Sequence, residues 1–233
     1  MTKLPFSGHF EKAIDLLHVV HMDVVGPMSV QLIGGANFFL TIVDQFSGFK
    51  QVKFLKNKSD VFEKFLEYKN YSEKLLQRSI IKINTDSGGE FCSNLFKDFL
   101  TKAGITHVIS PPYTPQQNPF AERSNQTILD KARCLLHQSN LPLRYWAEAV
   151  YTATDLINLL PSKTGNCVPY KVWFGKEPRL NNLRSFGCLC YVYNQKGIRE
   201  KLEPTCKKGI FLGYAHDFTS YKVLKLKGKT VIN

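Results

Sequence analysis

Leu16 to Val25 reads LLHVVHMDVV, and this run decides how the rest of the chain is read. Its β-branched and apolar residues, closed by Gly26-Pro27, predict a buried strand. One residue does not suit such a strand. Asp23 lies inside it, and an ionised carboxylate buried there is costly unless it is paired or holds a metal. Just downstream, Phe38 to Val43 (FFLTIV) and Gln51 to Leu55 (QVKFL) predict two more strands, with Ser47-Gly48 as the turn between them. The three make an antiparallel meander.

Beyond the meander the apolar period changes. Ser59 is the expected cap of a helix reaching about Leu76, with Phe62, Phe65, Leu66, Leu75 and Leu76 as its apolar stripe. Ile80 to Asn84 predicts a short buried strand that ends at Asp86. Asn94 to Ala103 predicts a helix closed by Gly104, and Ile105 to Ile109 one more strand. The loop Ser110 to Asn118 (SPPYTPQQN) holds three prolines, and Pro119 suits the first position of a helix to about His137. A last helix is expected from about Pro142 to Leu160. This order predicts an α/β sheet covered by helices, and several layouts fit it. After about residue 165, CLCYVY, GIFLGY, YKVLKL and KTVIN predict a small antiparallel β unit, a barrel being one form it can take.

Composition narrows the partner. The 233 residues are 43% hydrophobic, enough for a core, and carry a formal net charge of +12. Half of that excess, +6, falls between Lys196 and Asn233. A balance this basic points to a polyanion, most simply nucleic acid. The six cysteines form no C-x-x-C and no zinc module, so free buried thiols are expected. No apolar stretch approaches a membrane span, and MTKLPFSGHF has no hydrophobic targeting region, so a secreted or membrane protein is not expected.

Three carboxylates then stand out. Asp86, in NTDSGGEF (84–91), follows a short strand, where open sheets commonly place functional groups. Glu122 lies in the first turn of a helix, where an acid also complements the helix dipole. Asp44 reads as a turn opener and Glu90 as a local turn or helix-start residue. Gly88-Gly89 is no phosphate-cradling loop, since no Gly-Lys-Ser/Thr follows. Asp23, Asp86 and Glu122 together form the minimum set of hard oxygen ligands for two Mg²⁺ (or Mn²⁺) ions in phosphodiester chemistry.

Further sequence matches a known family. LLHVVHMDVVGPMSV, GGANFFLTIVDQFSG, NTDSGGEF, SPPYTPQQNPFAERSNQTIL, LPLRYWAEAVYTATDLIN and KKGIFLGY resemble the integrase of Copia-type (Pseudoviridae) long-terminal-repeat retrotransposons. The family signature is Asp, Asp, then Glu after 35 residues, and 35 residues lie between Asp86 and Glu122. The resemblance implies an RNase H-like core, with a mixed five-stranded sheet flanked by helices, followed by a small antiparallel β-barrel. It implies residues 1–15 as a remnant after a missing zinc module, 16–165 as the core, 166–185 as a linker and 186–233 as the barrel. Asp23, Asp86 and Glu122 become catalytic metal ligands, without zinc. Tyr113, Gln116, Gln117, Asn118, Asn125, Lys207 and Lys208, with Lys222 and Lys225 in the basic tail, become candidate DNA contacts. Where the family usually shows Asn-Gly, this chain has Asn118-Pro119, which fixes φ beside the site.

The implied activity is 3′-end processing of element cDNA and strand transfer into target DNA. The implied setting is the nucleus after a cytoplasmic particle stage, as part of a Gag-Pol polyprotein and as a homo-oligomer. RNA is a further expected polyanion. Two rivals use the same residues: an inactive remnant that only binds nucleic acid, and a plain RNase H-type nuclease. The 35-residue spacing and the QQN loop argue against the nuclease.

Overall fold

The computed structural model describes residues 12–32, 34–110, 119–161, 167–193, 205–215, 220–226 and 231–232. They fall into two compact units, Met1–Thr127 with Ile157–Glu177, and Ile128–Leu156 with Pro178–Asn233.

The first unit is built on a five-stranded sheet. Its strands are β1 (Val19–Val25), β2 (Phe38–Asp44), β3 (Lys50–Leu55), β4 (Lys82–Thr85) and β5 (Thr106–Ile109), in the order β3-β2-β1-β4-β5. β1 runs antiparallel to β2 and parallel to β4, so the sheet is mixed, as expected. Central position explains the sequence of β1. Val19, Val20, His21 and Met22 are all buried, so both faces of the strand are covered and the apolar run is nearly continuous.

The strand starts at Val19, three residues later than the apolar run suggests. Asp44 is the reason. Its Oδ1 accepts the Leu17 N–H at 2.9 Å, and Leu17 turns with φ +61. Its Oδ2 accepts the Ser47 N–H at 2.8 Å and the Ser47 hydroxyl at 2.6 Å. Asp44 is therefore the expected turn residue, and it also fixes the entry to β1.

Helix α1 (Val61–Leu76) follows a 3₁₀ turn at Lys58–Asp60. The expected cap, Ser59, lies inside that turn. Asp60 holds the N-cap position instead, but its side chain makes no hydrogen bond to the helix; its Oδ2 reaches back to accept the Lys56 and Asn57 N–H groups and so braces the preceding turn. The buried positions are Val61, Phe65, Tyr68 and Ser72, while Leu75 is exposed. The stripe expected from Phe62 to Leu76 is thus rotated by about one residue. Helix α2 (Asn94–Lys102) is capped by Ser93, whose hydroxyl accepts the Phe96 N–H, and closed by Gly104 at φ +68. Helix α3 (Pro119–Ser139) begins at the proline, and α4 spans Trp146–Leu159 behind a 3₁₀ turn. A short helix inside the expected linker, α5 (Pro169–Phe174), has no counterpart in the sequence reading. It sends Trp173 into the core, stacked on Phe49 with ring centroids 4.8 Å apart. Asn158 docks beside the edge strand β3: its Oδ1 accepts the Lys50 N–H and its Nδ2 donates to the Lys50 carbonyl.

The second unit carries a four-stranded antiparallel sheet in the order β6 (Leu189–Tyr193), β7 (Cys206–Tyr214), β8 (Tyr221–Lys225) and β9 (Val231–Ile232). Phe211, Tyr214 and Tyr221 cluster on one face, with ring centroids 5.1 to 6.1 Å apart. On the other face, a Cβ at Gly213 would lie 2.5 Å from Thr152 Oγ1 of α4, and the backbone there has φ +134. Lys222 sits 3.5 Å from Glu148 Oε2 and 4.5 Å over the Tyr151 ring, again on α4. It is committed to the helix rather than free for phosphate. All six cysteines are free, as expected, but none is fully buried. No described helix is long and apolar enough to cross a membrane.

Candidate active site

β1 and β4 are parallel neighbours, so their C-terminal ends lie at one edge of the sheet. Their register pairs Val19 with Lys82 and His21 with Asn84. Continued by two residues, it brings Asp23 level with Asp86. The first turns of α3 complete the corner. Phe120 packs on His21 with ring centroids 4.7 Å apart, and Asn125 Nδ2 donates to Asp23 Oδ2 at 2.8 Å. Glu122 lies three residues before Asn125, on the same helix face.

The three acids act on one another electrostatically. Burial pushes the Asp23 carboxyl up to about 6, the charges of Asp86 and then Glu122 push the same way, and the Val24 N–H and Asn125 amide pull it down. Glu122 is also raised, by burial and then by Asp86. Three acids from β1, the end of β4 and α3 therefore repel one another across one corner. Among the described residues, no group of three His, Cys, Asp or Glu is already gathered as a ligand cluster. The donors nevertheless fit a hard dication, which would offset the charge of Asp86 acting on Asp23 and Glu122.

Asp86 is exposed at the corner, and its Oδ1 accepts the Gly88 N–H at 3.1 Å. A Cβ on Gly88 would come within 3.0 Å of Asp86 Oδ1 and 2.8 Å of Glu90 Oε2, so a side chain there would push these carboxylates aside. Glu90 itself turns away, its Oε1 3.0 Å from Lys58 Nζ. Behind Asp86, the buried Thr85 hydroxyl donates to the Asp86 carbonyl at 2.8 Å. That uses its one proton, so at 2.9 Å it accepts from His107 Nε2. Burial and then Lys97 lower the His107 pKa.

Thr85 and His107 were not among the residues singled out from sequence. His107 is 21 residues from Asp86, and only the β4–β5 register, which pairs Ile83 with His107, brings it near. Asn125, expected to touch DNA, is 6% exposed and has the internal task of holding Asp23. Lys207 and Lys208 are exposed neighbours on β7 and so point to opposite faces of its sheet. Tyr113, Gln116, Gln117 and Asn118 lie outside the described residues.

Comparison with known proteins places the chain in a family. The family described as "Integrase core domain" matches residues 17–115, and "Retroviral polymerase SH3-like domain" matches residues 188–233. The Retrovirus-related Pol polyprotein from transposon TNT 1-94 of Nicotiana tabacum is 35% identical over 99% of this chain, which spans 17% of that relative. The corresponding polyprotein from transposon RE2 of Arabidopsis thaliana is 32% identical over 96% of the chain, which spans 15% of it. Among solved structures, the simian T-cell lymphotropic virus intasome superposes with TM-score 0.60 at 18% identity, covering 97% of this chain and 82% of that one. The HTLV-2 integrase catalytic core in complex with magnesium gives 0.52 at 22%, covering 69% of this chain and 98% of that one. These likenesses establish an RNase H-like integrase fold followed by a small β domain. With its integrase core domain, its SH3-like domain and matches to these transposon polyproteins over nearly the whole of its own length, the chain belongs to the integrase segment of Copia-type retrotransposon Pol polyproteins.

Proposed function

We propose that this chain joins DNA: it trims 3′ ends of element cDNA and transfers them into target DNA with divalent metal. The mutual repulsion of Asp23, Asp86 and Glu122, acids from three separate elements, carries this reading. These three would hold Mg²⁺ or Mn²⁺. The ions, when bound, supply activation of the attacking oxygen and stabilisation of the leaving oxygen.

The chain's own residues prepare that corner. Asn125 fixes one oxygen of Asp23. Thr85, backed by His107, holds the Asp86 backbone. In trimming, water attacks the phosphodiester. In transfer, the freed 3′-hydroxyl attacks a target phosphodiester and releases the target's own 3′-hydroxyl. No covalent bond to the protein is needed. The loop at Tyr113, Gln116, Gln117 and Asn118, with exposed lysines such as Lys207 and Lys208, would grip DNA. The setting is the nucleus, in an oligomer released from a larger polyprotein.

Strand transfer with Mg²⁺ and a pre-trimmed DNA end is the test. Asp86→Asn is expected to abolish product. Unchanged product would sink the assignment.

A further inference from the structure

Thr41 stands directly opposite Asp23 in the β1–β2 ladder. Opposite residues of an antiparallel pair share a face, with Cβ atoms about 4.5–5.5 Å apart. That gap is one a hydroxyl and a carboxylate can span with a hydrogen bond between them. Thr41 is fully buried, and its Oγ1 has no hydrogen-bond partner among the described residues. Its other immediate neighbours on this face are apolar and buried: Phe39 and Val43 along β2, and Val52 opposite it on β3. Two polar groups stand one step further along the sheet, and both are engaged. His21 Nε2 pairs with Gln45 Oε1, and Lys50 Nζ donates to the Gly48 carbonyl. Asp23 is thus the polar side chain directly beside Thr41.

A valine would fill nearly the same volume without placing a polar atom among apolar ones, so the hydroxyl costs stability where it stands. Departures of this kind gather at functional sites. Asp23 offers the use. Asn125 Nδ2 donates to its Oδ2 from α3, and the Val24 N–H donates from its own strand. An ionised carboxylate has about four acceptor positions, so a donor from β2 and a metal ion can both still be taken.

We infer that Thr41 is a positioning residue: its hydroxyl donates to the Asp23 carboxylate and holds it in the orientation that binds the divalent ion. This rests on the proposed function, in which Asp23 is a metal ligand. Rotation about χ1 exchanges the hydroxyl and the methyl among staggered positions, so the bond forms without movement of the strand. Thr41 acts through Asp23 and touches neither the ion nor DNA.

The test is calorimetric titration of Mn²⁺ into the whole chain without DNA, with thermal melts of the metal-free protein beside it. Thr41→Val keeps the shape and removes the hydroxyl. It is expected to weaken Mn²⁺ binding about tenfold or more. Its metal-free midpoint is expected at or above that of the wild type, because an unpaired buried hydroxyl has gone. Thr41→Ser restores the hydroxyl and is expected to bind Mn²⁺ within about twofold of the wild type. Three outcomes overturn the inference. One is unchanged affinity in Thr41→Val. Another is an equal loss in Thr41→Ser, which makes the methyl the cause. The last is a metal-free midpoint that falls in Thr41→Val along with the affinity, which makes the residue a packing element. Asp86→Asn separates this inference from the proposed function. If it weakens Mn²⁺ binding and Thr41→Val does not, the metal corner stands and only the role of Thr41 falls. A wild-type chain that takes up no Mn²⁺ overturns both. A chain whose Mn²⁺ affinity follows Thr41 as expected, but which never joins DNA, keeps this role and loses the strand-transfer assignment.

Discussion

Asn125 decides how well Asp23 is aimed. Its amide donates to Asp23 Oδ2, while its own Oδ1 is buried with no partner among the described residues. Asn125→Ala therefore removes one hydrogen bond, worth about 1 kcal/mol of stability. It also frees a carboxylate whose direction matters more than its attachment. Strand transfer is expected to fall about 10- to 100-fold, with the acid limb of the pH profile moving upward because the amide pulls the Asp23 pKa down. An unchanged pH profile in steady-state assays would leave Asn125 a packing residue. A second outcome follows from Asp23 itself. With its carboxyl near 6, part of the population holds a proton around that pH, and a cation must displace it. Mg²⁺ binding is expected to release protons near pH 6 and almost none at pH 8, as read by calorimetry in buffers of different ionisation enthalpy. At this scale the sequence draws notice to Asp23 by its place in an apolar strand and to Asp86 and Glu122 by the 35 residues between them. The supporting residues were not legible there: Thr85 and His107 meet through strand register, and Asn125 through helix rotation, neither of which a linear spacing reveals.

Elements were legible where one period dominates. The central strand showed itself because both of its faces are covered, and α3 because Pro119 starts it. α5 was missed because six residues are too few to display a helical period, and its one deep anchor, Trp173, looks the same in a linker. The start of α1 was misplaced by one residue because a 3₁₀ turn at Lys58–Asp60 precedes it, braced by the Asp60 carboxylate on the Lys56 and Asn57 N–H groups. In the second unit, α4 and β7 approach so closely that glycine is required at 213. Gly213→Ala would place a Cβ 2.5 Å from Thr152 Oγ1 on a backbone with φ +134. It is expected to cost about 2 kcal/mol or more, read as a lower thermal midpoint. A Gly213→Ala chain that melts at the wild-type temperature would show that α4 can move away.

For the whole molecule, folding stability should carry a signature of pH. Burial pushes the Asp155 carboxyl up to about 8, with the Lys222 ammonium pulling the other way. Between about pH 4 and pH 8 the folded chain keeps a proton that the unfolded chain has released. Stability from this group is therefore complete at low pH and lost as pH rises through that window. Asp155→Asn is expected to raise the thermal midpoint at pH 8 by at least about 3 °C and to leave it unchanged at pH 4. Equal midpoints at pH 8 would show that Asp155 is well solvated. One consequence concerns how this molecule keeps to itself. β3 is an outer strand, and such strands expose backbone groups that recruit strands from other chains. The Asn158 amide engages both the N–H and the carbonyl of Lys50. A single side chain thus occupies the place an incoming strand would take, a guard against runaway sheet growth.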